Sequence, residues 1–129
     1  MIQTKRVYEP PEKSDGTRFL VDRLWPRGMK KESLKMSDWP KEIAPSESLR
    51  RWFNHDPAKW KEFQKRYRSE LADKRETWKP LLDAAKNGDV TLLFSAHDLE
   101  HNNAVVLRSF LDQRLRRGRT SEKRVAATR

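Results

Sequence analysis

The run Val90-Thr91-Leu92-Leu93-Phe94-Ser95-Ala96 constrains this chain's fold more than any other stretch. It is short, apolar at successive positions, and fenced by Gly88 and by polar residues. It therefore reads as a strand covered on both faces, at the centre of a sheet. Strands of that kind belong to parallel sheets, whose neighbours need crossover connections. Ile2 to Tyr8 reads as a first strand, stopped by Glu9-Pro10-Pro11-Glu12. Arg18 to Leu24 reads as a second, with Phe19-Leu20-Val21 again unbroken, ended by Trp25-Pro26-Arg27-Gly28. Residues 29–45 promise a short helix and irregular backbone, with room for a fourth strand.

Helical signals fill the rest. Ser46 looks like an N-cap ahead of Leu49, Trp52 and Phe53. Asp56 caps the next helix, with Pro57 in its first turn. Trp60, Phe63, Tyr67 and Leu71 then fall on one helical stripe, which reads as core rather than as a stacking platform. Glu76 to Lys86 is a further helix, stopped by Asn87-Gly88. Asn102 to Arg117 is the last, with Ala104, Leu107, Leu111 and Leu115 inward. The expected class is α/β: a small, mostly parallel sheet with helices on both faces, in one domain.

Composition fits one domain of 129 residues and 15.4 kDa. Charged residues make up 37%, so the core must be lean, and five Trp supply much of it. The absence of Cys rules out a disulfide scaffold, a thiol nucleophile and thiolate-held metals. No apolar run approaches the roughly 18 residues of a membrane span. The N-terminal residues lack the apolar stretch of a signal peptide, so a cytoplasmic protein without a membrane partner is expected. Residues 114–129 carry seven Lys/Arg against Glu122 alone, and so account for +6 of the net +10. With Gly118 as a helix stop, the expected organisation is an α/β domain over 1–117 and a disordered basic tail over 118–129, with a weak, non-specific attraction to nucleic acid as the tail's sharper reading.

Ligands of open α/β sheets bind beyond the carboxyl ends of the strands. There the sequence places Arg6 and Tyr8 after the first strand, Asp22, Arg23 and Arg27 after the second, and Ser95, His97, Asp98, His101, Asn102 and Asn103 after the third. Forked guanidinium donors beside a helix N-terminus suit an anion, so Arg6, Arg23, Arg27, Asp98 and Asn102 are the candidate ligand-binding residues. The competing reading is that Asp98 and Asn102 cap the last helix while the arginines pair locally. Asp22 and His101 are the candidate acid/base groups, Asp22 only if burial moves its pKa upward.

His97-Asp98-Leu99-Glu100-His101 matches an H-x-x-E-H zinc pattern, but it directly follows a strand and so falls in a turn; no metal is expected. No phosphate loop, dinucleotide fingerprint or nucleophile elbow is present, and no cofactor is expected. His55, just before a helix, reads as a capping or packing residue.

The octet Val21-Asp22-Arg23-Leu24-Trp25-Pro26-Arg27-Gly28 carries a family resemblance, together with Arg6-Val7-Tyr8, Trp39, Ala44-Pro45-Ser46, His55-Asp56-Pro57, Trp60, Phe63, Tyr67 and Glu70-Leu71. Over about residues 1–116 the chain resembles the YeaO-like family of bacterial proteins, a domain of unknown function. The resemblance implies an α/β fold and a cytoplasmic location, and no established reaction. Broader relatives carry a Cys-bearing motif after the last strand. Here that region reads Ser95-Ala96-His97-Asp98, so thiol chemistry does not carry over.

The reading that best joins these features is a domain that binds a phosphate-bearing ligand, a nucleotide or nucleic acid, at the strand carboxyl edge. The alternatives are an enzyme acting on a phosphate-bearing small molecule through Asp22 or His101, and a protein-interaction module with no catalytic site.

Overall fold

The computed structural model of the protein describes the backbone of residues 1–127 and the side chains of residues 1–118. The strands are β1 (Ile2–Arg6), β2 (Thr17–Leu20) and β3 (Val90–Phe94). The α-helices are α1 (Glu47–Phe53), α2 (Trp60–Ala72), α3 (Arg75–Asn87) and α4 (Asn103–Ala127). The sheet is parallel throughout, in the order β1-β3-β2, and every residue of the central β3 is buried. The apolar run of β3 thus lies where its hydrophobicity requires, covered on both faces.

Alternation along the strands sorts the core into two. Ile2, Phe19, Val21, Val90, Leu92 and Phe94 face the buried stripes of all four α-helices. Val7, Leu20 and Leu93 face the other way, onto Leu34, with Trp25, Met29, Met36 and Trp39 packed around them. The α-helices therefore share one face, where the sequence reading expects them on both. The second face is covered by a 3-10 turn at Lys13–Asp15 and by irregular backbone, because Pro26 and Pro40 interrupt this segment and its apolar residues are too unevenly spaced for a helical stripe. No fourth strand forms there among the described residues; residue 38 makes a single bridge to Phe19.

The caps fall where read. The Ser46 hydroxyl accepts the Leu49 N–H, and the Asp56 carboxylate accepts the Ala58 N–H ahead of α2. The stripe on α2 is core, with Phe63 and Tyr67 buried and the Tyr67 hydroxyl donating to the Ile43 carbonyl at 2.7 Å. Burial holds that phenol above its ordinary pKa. β2 is shorter than its apolar run: the Val21 N–H still meets the Leu93 carbonyl at 3.0 Å, and the chain then bends away. The backbone of α4 continues through Gly118 to Ala127, past the stop expected there. The expected flexible basic tail over 118–129 lies, in its side chains from 119 onward, outside the described residues.

A charged network sits under the amino ends of the strands, on the second face. Asp15, 1% exposed, takes the Glu12 N–H, the Lys5 ammonium and the Arg18 guanidinium. The Arg18 Nε also donates to the Lys35 carbonyl. Burial pushes the Asp15 carboxyl up, but the Glu12 N–H and the two cations outweigh it and hold the group below its ordinary range. Gly16 follows at φ 65°, where a Cβ would lie 2.1 Å from the Asp89 carbonyl oxygen.

Candidate functional site

Three strand exits stand side by side, roughly 4.8 Å apart. Because β3 is central, its exit divides the polar residues into two groups.

Arg6 dominates the β1 side. Its Nε donates to the Ala96 carbonyl at 3.0 Å and its Nη2 to the Ser95 carbonyl at 3.2 Å. The same Nη2 lies 3.5 Å from His97 Nδ1, and the guanidinium covers the Tyr8 ring at 4.8 Å. The Tyr8 hydroxyl donates to the Arg27 carbonyl at 2.8 Å, which brings the chain after β2 across to the β1 exit. The Arg27 side chain is exposed and meets no hydrogen-bond or ion-pair partner among the described residues.

Asp22 dominates the β2 side. Its carboxylate accepts the N–H and the hydroxyl of Ser95 at 2.9 and 2.8 Å. Asn103, the first residue of α4, hydrogen-bonds Asp22 as well and donates to the Val21 carbonyl at 2.9 Å. Burial raises the Asp22 pKa, opposed by the Ser95 and Asn103 hydrogen bonds and by the Arg50 charge. Arg23 turns away toward the segment before α1, where its Nη2 and Nε donate to the Ala44 and Pro45 carbonyls at 3.2 and 3.4 Å. Exposed Glu42 stands 3.7 Å from it.

The turn after β3 is tied to itself. Asp98 accepts the N–H groups of Glu100 and His101, and its second oxygen lies 2.9 Å from His101 Nδ1. The Glu100 N–H foremost, with the His101 ring, holds the Asp98 carboxyl below its ordinary pKa. His101 meets Trp60 edge-on at 5.1 Å. Asn102 is 3% exposed; its amide donates to the Asp98 carbonyl and its oxygen accepts the Val105 N–H, so it caps α4.

The structure therefore brings the Arg6 and His97 side chains together on one side, where Arg27 arrives through its backbone carbonyl against the Tyr8 hydroxyl, and Asp22, Ser95 and Asn103 together on the other. Arg23, Asp98 and Asn102 join neither group through their side chains. The two histidines of H-x-x-E-H meet different partners, and among the described residues no three acidic or imidazole side chains gather as metal ligands. Two relationships were not readable in the sequence: Arg50 acting on Asp22, and Trp60 against His101. Both arise from the placement of α1 and α2 over the strand exits, which no local signal fixes. An open cleft of about 330 Å³ is lined by α1 and α2 residues alone, among them Trp52, Arg66 and Glu70.

Fold and exits define a single-domain α/β protein with a parallel three-stranded sheet and polar strand ends. No helix among the described residues is long and apolar enough to cross a membrane. The chain belongs to the family described as the inactive DUF488-N3 subclade, whose model matches residues 1–128. It is similar to the "Uncharacterized protein YeaO" of Escherichia coli (strain K12), 48% identical over 110 residues that span 85% of this chain and 96% of that one. It is also similar to the "Uncharacterized protein Rv3073c" of Mycobacterium tuberculosis (strain H37Rv), 44% identical over 72 residues, 56% of this chain and 61% of that one. No solved structure matches.

Proposed function

We propose that the protein is a binding domain for a phosphate-bearing ligand, a nucleotide or nucleic acid, held at the carboxyl edge of the sheet. The observation that carries this reading is that two guanidinium groups at the edge, those of Arg6 and Arg27, have no carboxylate partner among the described residues. The Arg6 side chain is held by two neutral carbonyls, and Arg27 meets no hydrogen-bond or ion-pair partner among the described residues, while the nearby carboxylates of Asp22, Asp98 and Glu9 are each bound by other groups. A guanidinium satisfied by neutral carbonyls keeps its full charge for an incoming anion, and the forked donors of Arg suit phosphate.

Within this reading the roles divide. Arg27 and Arg6 meet the anion, with His97 beside them. Arg23, Asp98 and Asn102 hold the loops that frame the edge rather than touching the ligand. The word "inactive" in the family's description favours binding over turnover. The acid/base alternative rests on Asp22, whose raised pKa would suit a proton donor.

Calorimetric titration with inorganic phosphate and a panel of mononucleotides tests the proposal. The parent should bind at least one of them with a salt-weakened affinity. Arg27→Ala should lower that affinity about tenfold, the scale of one charge-assisted hydrogen bond, and leave the melting temperature unchanged. A parent that binds none of them at millimolar concentration would refute the reading.

A further inference from the structure

Between Trp25 and Met36 the chain separates anchors from charges. Met29, Leu34 and Met36 pack into the second core cluster. The backbone is fixed by the Trp25 indole donating to the Met29 carbonyl at 2.6 Å and by the Ser33 and Leu34 N–H groups meeting the Lys30 carbonyl at 3.0 and 3.2 Å. With these anchors inward, Arg27, Lys30, Lys31 and Lys35 are all exposed, and none has an ion-pair partner among the described residues. Glu32 is the only acid in the stretch. On the helices, Arg51, Arg66, Lys79 and Arg108 each have an acid one turn away, while Lys61 and Lys65 of α2 are exposed without an ion-pair partner among the described residues.

Tyr8 completes the surface. The residue is 45% exposed, its hydroxyl is fastened to the Arg27 carbonyl, and Arg6 lies over the ring. A segment with an anchored backbone and four exposed cations is thereby joined, at Arg27, to an aromatic side chain.

We propose that this surface binds a single-stranded nucleic acid, with Arg27, Lys30, Lys31 and Lys35 along its phosphates and the Tyr8 ring beneath a base. The inference rests on the phosphate-ligand reading above and extends it from one nucleotide to a strand. Four exposed cations spread over nine residues outnumber what one mononucleotide engages, whereas a strand supplies several phosphates. A cationic track beside an exposed ring is the arrangement that holds single strands, because every base offers a face for stacking. A duplex keeps its bases stacked inside and would leave Tyr8 unused.

Fluorescence anisotropy with a labelled oligothymidylate, read across a salt series, tests the inference. Log affinity should fall with log salt, and each cation removed should flatten the slope by about 0.7. The double variant K30E/K31E should lose at least about tenfold in affinity at an unchanged melting temperature. K61E/K65E, the same charge change on α2, should lose far less. Tyr8→Ala should weaken binding about tenfold, with Tyr8→Phe retaining most of it. Equal losses in the two double variants, or polyphosphate or duplex DNA binding as tightly as the oligothymidylate, would overturn the inference. Thymidine monophosphate binding as tightly as the oligonucleotide would remove the strand while leaving the phosphate-site reading intact. If neither binds, both fall.

Discussion

Asp22 leaves β2 and Ser95 leaves β3, and the Asp22 carboxylate receives both the Ser95 N–H, at 2.9 Å, and the Ser95 hydroxyl, at 2.8 Å. Two strand exits are thus clamped by a group that burial disfavours as an anion. Its folded-state pKa lies above the ordinary Asp value of 3.8, so the folded chain binds that proton more tightly than the unfolded chain does. The stability this group contributes is therefore greatest in acid and falls as the pH rises above 3.8. Asp22→Asn should gain on the parent in melting temperature as the pH is raised from acid toward neutral. A difference that stays constant with pH would contradict this.

Asp15 has the opposite sign. Its carboxyl is held below 3.8, so its contribution is present above that value and is lost as the pH falls through the folded-state pKa. Asp15→Asn leaves the Arg18 charge, on a side chain only 8% exposed, facing a neutral group, while Lys5 keeps Glu12 at 2.9 Å. A loss of about 3–5 kcal/mol is expected in urea unfolding at neutral pH, the scale for breaking a buried ion pair.

Gly16 sits at φ 65° against the Asp89 carbonyl. Gly16→Ala should cost at least about 2 kcal/mol, from left-handed backbone strain together with the displacement of backbone at the start of β3. A near-neutral denaturation midpoint would mean that the β2 entrance moves freely.

Arg23 and Arg27 should separate in stability measurements. Arg23→Ala leaves the Ala44 and Pro45 carbonyls without their donor and should cost about 1–2 kcal/mol, discounted because the side chain is a quarter exposed and both hydrogen bonds are long. Arg27→Ala should leave the melting temperature within error.

Much of the fold was legible because its signals are local. The apolar run of β3, the Ser46 and Asp56 caps and the Trp60–Leu71 stripe each declare themselves within a few residues. The candidate site was legible only as a neighbourhood. Strand exits must converge in a parallel sheet, so Arg6, Asp22 and the 97–103 turn had to lie together. What each side chain does there depends on contacts distant in sequence. Arg6 reaches carbonyls about 90 residues away, and Arg23 reaches the segment before α1. No local signal marks Asp15 and Arg18 as buried; their burial emerges only when Lys5 and Thr91 are brought beside them by strand pairing. The second face was misread because covering a sheet requires only a few well-placed apolar anchors, which irregular backbone supplies as well as helices do.

Under the proposed function, the strand edge at Arg6, Tyr8, Arg27 and His97 receives phosphate. Amide chemical shifts of the isotope-labelled protein, followed while a mononucleotide is titrated in, locate the ligand residue by residue. The largest shifts should fall on residues 6–8, 27–31 and 95–98, saturate, and shrink in Arg27→Ala. Shifts confined to α2 and α3, or no shift at millimolar ligand, would contradict the proposed function.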